Sequence, residues 1–313
     1  MKNNKDKIGQ EMTLYSLIAA SLKGISQVIF VESVISGFII LVAITIADYT
    51  VGLIAIISSI IGTLIGRIGG GDKTALNQGL FGYNSVLIGI ALAIYMTGRI
   101  SWEIAFIGAA FAGIITGAMM HFLKDMELPV LTFPFVMMTW IFLLASYHFK
   151  ILTISLQLTP QNLSGWELIT EGSTDITSGL VGGIGQVYFQ DKLLSGILIL
   201  IAVFWANWKW GIYTLVGTAI GWLTAYILGP EVTLLNLGLY GYNAVLTMLA
   251  VGVVFDADHP FAPITGVIAA IASVLLAAGI HSVLLPYGLP VLTMPFVIVT
   301  WVFLGARKQL PRI

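Results

Sequence analysis

A thirteen-residue stretch of this chain is written twice. Leu128 to Trp140 reads LPVLTFPFVMMTW, and Leu289 to Trp301, at an offset of 161 in the numbering, reads LPVLTMPFVIVTW. NQGLFGYNSVLIG, from Asn77, returns as NLGLYGYNAVLTM from Asn236. GISQVIF, from Gly24, returns as GIGQVYF from Gly183. Both of these pairs share an offset of 159. Three blocks in one order at near-constant spacing make the chain a single unit duplicated. In duplicated membrane units the solute site commonly lies where the repeats meet.

Composition supplies the solvent. Apolar residues make up 58% of the chain and charged residues 9%, with a mean hydropathy of +0.98. A soluble domain carries roughly 25% charged residues, so this chain is expected to face lipid. The net charge of −1 gives no basic surface for nucleic acid, and the absence of cysteine rules out disulfides and thiolate metal sites.

Each half carries five apolar stretches, at 33–48, 50–66, 79–98, 102–123 and 128–149, then at 193–207, 210–229, 237–255, 261–283 and 289–305. A less apolar segment precedes each set, at 12–30 and 172–189, and reads as re-entrant, shielded from lipid by protein. The expected fold is all-α, with ten transmembrane helices arranged as two five-helix repeats. The expected divisions are a tail at 1–11, a first repeat at 12–150, a linker at 151–171, a second repeat at 172–305 and a tail at 306–313. Five spans per repeat put the second repeat into the membrane from the opposite side. With both termini cytosolic, inner loops and tails hold Lys2, Lys5, Lys7, Arg67, Lys73, Lys124, Lys209, Arg307, Lys308 and Arg312. The outer loops hold only Arg99, Lys150 and Lys192. That bias follows the positive-inside rule. In the linker, Ser164 and Glu167 have capping-box spacing.

The doubled motif carries the chemistry. A proline within a helix cannot bond the carbonyl four residues back. Pro134 and Pro295 are therefore expected to kink helices and free the carbonyls of Val130 and Val291. Thr132 and Thr293 add hydroxyls between the prolines of each motif. Both acceptor sets sit where no water can satisfy them. Gln27 and Gln186 occupy matched positions near the ends of the re-entrant segments and offer uncharged amides. Tyr83 and Leu87 share a helix face, as do Tyr242 and Leu246. Phe30 and Val187 lie beside the glutamines, where flat rings would make a slot for a planar solute. Asn84 and Asn243 are expected to bond a neighbouring helix. No span has an acid at its middle, which disfavours a proton relay. No nucleotide-binding or nucleophile motif points to an enzyme.

The doubled LPVLT-x-PF, the doubled GL-[FY]-GYN and the segments around Gln27 and Gln186 resemble the urea transporter family over about 12–305. The resemblance implies passive urea flow through a narrow pore inside each protomer of a homotrimer in the cell membrane, with no cofactor. It implies that Thr132 and Thr293 are the central threonines and that Gln27 and Gln186 lie nearer the mouths. Phe30, Tyr83, Leu87, Val187, Tyr242 and Leu246 would line the slot. Where relatives read NNP or DNP after the glutamines, this chain reads Glu32-Ser33-Val34 and Asp191-Lys192-Leu193. Two other readings share this architecture: a channel for another small neutral amide or ammonia, and an ion-coupled secondary transporter.

Overall fold

A computed structural model describes residues 14–310, except for the side chain of Gln157; the expected tail at 1–11 lies outside the described residues. The duplication is visible helix by helix. The first half holds α1 (Leu14–Gln27), α2 (Val34–Ala47), α3 (Tyr49–Ile68), α4 (Lys73–Asn77), α5 (Tyr83–Tyr95), α6 (Ser101–Lys124) and α7 (Phe133–Ala145). The second holds α8 (Ile176–Gly185), α9 (Leu193–Ala206), α10 (Trp208–Leu228), α11 (Val232–Asn236), α12 (Tyr242–Leu249), α13 (Ala262–Leu284) and α14 (Met294–Gln309).

Local signals repeat with the sequence. The Asp48 side chain caps α3 by accepting from the Thr50 and Val51 amides. Asn207, its counterpart in the second half, caps α10 by accepting from the Lys209 amide. Gly79 and Gly238 adopt φ of +80° and +76° just before α5 and α12. A Cβ there would lie 2.4 and 2.1 Å from the backbone nitrogens of Gly24 and Gly183. Glycine therefore lets the GL turn close onto the GIxQ helix end in both halves.

Among the described residues, α3, α6, α10 and the helix continuing α13 to Tyr287 are long and apolar enough to cross a membrane. The segment Ile176–Tyr188 with α9, bent by 71°, forms a broken span or re-entrant loop. Exposed apolar stripes agree: Ile107, Phe111 and Ile114 on α6, and Ile264, Ile268, Ile271 and Leu275 on α13. Water would penalise such stripes, whereas lipid does not. The chain is a multi-pass helical membrane protein.

Two sequence expectations are revised. The stretch 128–149 is not a kinked helix. Its helical part starts at Phe133, with Pro134 in the first turn, and α14 starts likewise at Met294 with Pro295. Proline is well placed there, because the first-turn N–H has no partner within a helix. What breaks the chain is the left-handed Leu131 and Leu292, both at φ +53°. The linker is not a capping box either. Asn162, not Ser164, is the capping side chain and accepts from the Ser164 amide, and Leu163–Gly165 is a single 3-10 turn. Its direct link from side chain to second following amide outcompetes the longer reach from Glu167.

The halves meet through reciprocal bonds. Ser36 Oγ donates to Ala202 O and Ser195 Oγ to Ala43 O, both at 2.8 Å. Each serine lies seven residues before the equivalent of its acceptor, about 10 Å along a helix. Parallel helices with equivalent residues level could not make both bonds, so α2 and α9 run antiparallel. Trp140 Nε1 donates to Pro290 O and Trp301 Nε1 to Pro129 O, again both at 2.8 Å. One apolar core spans both halves, with Ile25, Ile44 and Phe135 from the first and Ile184, Tyr188 and Phe296 from the second.

Candidate functional site: two cavities that meet at a threonine pair

The two broken helices, α7 and α14, bring their preceding turns together. Thr132 Oγ1 and Thr293 Oγ1 lie 2.5 Å apart, both buried. Either can donate, but only one does at a time, which leaves one hydroxyl proton for another acceptor.

A cavity opens on each side of this pair. The first, about 340 Å³, is lined by Gln27, Val28, Phe30, Leu80, Tyr83, Val130 and Thr132, with Val254, Phe255 and Phe296 from the other half. The second, about 500 Å³, is lined by Gln186, Val187, Phe189, Leu239, Tyr242, Val291 and Thr293, with Leu87, Tyr95 and Phe135 from the other half. The linings are near copies at the two offsets of the sequence repeat, and each cavity takes a phenylalanine from across the repeat boundary.

Eleven of the twelve candidate residues therefore line one cavity or the other. Leu246 lines neither; it is fully buried in the shared core. Its counterpart Leu87 reaches the second cavity, so the two halves are not identical here.

Phe30 and Phe189 both take left-handed backbone, at φ +66° and +60°. Such conformations cost non-glycine residues roughly 1–3 kcal/mol and concentrate at functional sites. The Phe30 ring stands edge-on to Phe255 and Phe296, at 5.5 and 5.9 Å between centroids. Phe189 stands edge-on to Tyr95 and Phe135, at 5.9 and 6.1 Å. The expected flat rings facing each other are not what forms beside the glutamines: Phe30 and Phe189 each stand edge-on to two further aromatics, and Val187 carries no ring. Phe189 was findable, since it holds the place of Phe30 in the second copy of the repeat. Tyr95 and Phe255 carry no motif, and only the folded chain shows them. Close to Phe255, α12 continues as a π-helical turn over Ala250–Val254, a distortion frequent at functional sites.

The glutamines differ. Gln186 Nε2 donates to Leu237 O at 3.2 Å, whereas among the described residues no bond holds the Gln27 amide. The mouths differ too. Met120 borders the first cavity where its counterpart in the repeat, His281, borders the second. Trp166 of the linker also lines the second cavity, edge-on to His281 with centroids 6.3 Å apart. From 161 to 177 it is the only residue not exposed to solvent. Glu32, just after α1, pairs at 2.7 Å with Lys23 of that helix, so this departure from the relatives' pattern contributes an ion pair rather than a free charge.

Fold and cavities together define a class: a duplicated, multi-pass helical membrane protein with a cavity on either side of a buried threonine pair. The family model described as urea transporter matches residues 18–308. Over 300 residues the chain is 30% identical to urea transporter 1 of Ovis aries, 29% to that of Capra hircus and 27% to that of Mus musculus. Each match covers 93% of this chain and 77% of the relative. The chain belongs to the urea transporter family.

Proposed function

We propose that the chain is a passive urea channel whose filter is the Thr132–Thr293 pair, reached through the two cavities. The observation that carries this is that two near-copy cavities abut at one hydroxyl pair. Urea is planar and neutral, with four N–H donors and one carbonyl. Leaving water costs it those bonds unless protein oxygens replace them. Among the described residues, no protein donor reaches the carbonyls of Val130 and Val291, so they are free acceptors on either side of the threonines. When urea passes, the bond between the hydroxyls is exchanged for bonds to urea, so the closed pair is no large barrier. A few uncharged oxygens in an otherwise apolar slot are too few to replace the full hydration shell of an ion.

In this reading the halves form ten spans as inverted repeats in the cell membrane, with both termini cytosolic. The first cavity then faces the cytosol and the second, beneath Trp166, faces outward. The antiparallel pairing of α2 with α9 and the Lys/Arg bias support this orientation. By resemblance, three protomers assemble, each with its own pore.

The test is urea entry into liposomes that hold the purified protein. Entry is expected to follow the urea gradient alone, without response to an imposed proton or sodium gradient. Accumulation above the outside concentration would overturn the channel reading.

A further inference from the structure

At each helix break one arrangement of atoms recurs. Tyr83 Oη donates to Leu131 O at 2.6 Å, and Asn84 Nδ2 donates to the same oxygen at 3.3 Å. Asn84 Oδ1 accepts from the Phe135 amide at 3.3 Å. In the copy, Tyr242 Oη and Asn243 Nδ2 donate to Leu292 O at 2.7 and 3.1 Å, and Asn243 Oδ1 accepts from the Phe296 amide at 3.1 Å.

Three consequences follow. Left-handed Leu131 cannot supply the helical partner of the Phe135 amide, so one carboxamide replaces it and bridges the break. The Leu131 carbonyl has two lone pairs, and both are taken. The acceptor left open at the break is the Val130 carbonyl. Finally, the Tyr83 proton is committed to Leu131, so towards the cavity its phenol oxygen only accepts. The same holds for Leu292, Val291 and Tyr242.

We infer that Asn84 and Asn243 are positioning residues which, with Tyr83 and Tyr242 as cavity-facing acceptors whose protons are spent on the same carbonyls, make the filter acceptor-rich and so select donor-rich solutes. Both asparagines are buried and line neither cavity. They cannot touch the solute and act only by holding the broken chain. The inference rests on the proposed urea path.

The test compares urea with acetamide, which has the same planar carbonyl but two N–H donors instead of four. In liposomes, Asn84→Leu and Asn243→Leu should each lower the urea-to-acetamide permeability ratio roughly tenfold, the equivalent of one hydrogen bond at the barrier. A purely structural role would lower both fluxes together with the amount of folded protein and leave the ratio alone. Should the leucine variants not fold, the double variant Tyr83→Phe, Tyr242→Phe keeps both rings and removes only the hydroxyls, and its ratio should fall in the same direction. An unchanged ratio in a folded variant overturns the inference. Absence of urea flux in the unaltered protein would instead overturn the channel reading beneath it.

Discussion

Thr132 and Thr293 illustrate how much one hydroxyl decides. Valine keeps the shape of threonine but offers no oxygen. With Thr132→Val or Thr293→Val, urea at the narrowest point leaves an N–H without an acceptor, at a cost of about 1–3 kcal/mol. Each ~1.4 kcal/mol is tenfold, so urea flux should fall by roughly ten- to a hundredfold, measured by stopped-flow light scattering on liposomes. Unchanged flux in the folded double variant would remove the threonines from the filter. At this scale the doubled motifs pointed to both threonines, both glutamines and both tyrosines, all of which line the cavities, but also to Leu246, which does not. The sequence was silent where tertiary neighbours alone give a residue its role. Tyr95 and Phe255 come from a helix end and the end of a π-helical turn, and their register to Phe189 and Phe30 is set by packing.

Among the elements, the breaks before α7 and α14 hold the site together, and proline was a misleading guide to them. Periodicity registered an apolar run with two prolines, which reads as a kink. The decisive term, left-handed backbone at a leucine, leaves no mark in composition, because tertiary donors such as Asn84 stabilise it. A second device fixes the same break from outside. Glu127, just before the motif, pairs with Lys308 near the end of α14 at 2.8 Å. The hydrogen bond from Lys308, aided by its charge, holds the Glu127 carboxyl below its ordinary range. A carboxylate with a lowered folded pKa stabilises the protein above its unfolded pKa, and that contribution is lost as pH falls through the folded value. Glu127→Gln should therefore lower the thermal midpoint slightly at pH 7, and the difference should fade as the pH falls through the folded value and the carboxyl becomes neutral. The pair is exposed, so the pH 7 difference should also shrink in molar salt. A difference that stays constant as the pH is lowered, and does not shrink in molar salt, would mean that Glu127 acts through packing, not charge.

For the whole molecule, duplication was the most legible feature, because a repeat with two fixed offsets forces equivalent elements to recur in order. The sense in which the copies face each other is harder to read, since hydropathy is blind to direction. Here the reciprocal bonds contribute what hydropathy lacks. Ser36 with Ala202 and Ser195 with Ala43 require α2 and α9 to run antiparallel, and a twofold operation that reverses helix direction has its axis across the helices, not along them. On the proposed ten-span reading such an axis lies in the membrane plane and turns one half upside down relative to the other. Lys73 opens α4 and Glu231 immediately precedes α11, the equivalent short helix. Inverted halves put these two positions on opposite faces. Because the chain contains no cysteine, Lys73→Cys and Glu231→Cys can be labelled one at a time against a clean background. A membrane-impermeant maleimide added to intact cells should react with the Glu231→Cys variant, and with the Lys73→Cys variant only after the membrane is opened. Reaction of both from outside would place the halves in the same orientation and refute the inverted arrangement, whatever the flux measurements show.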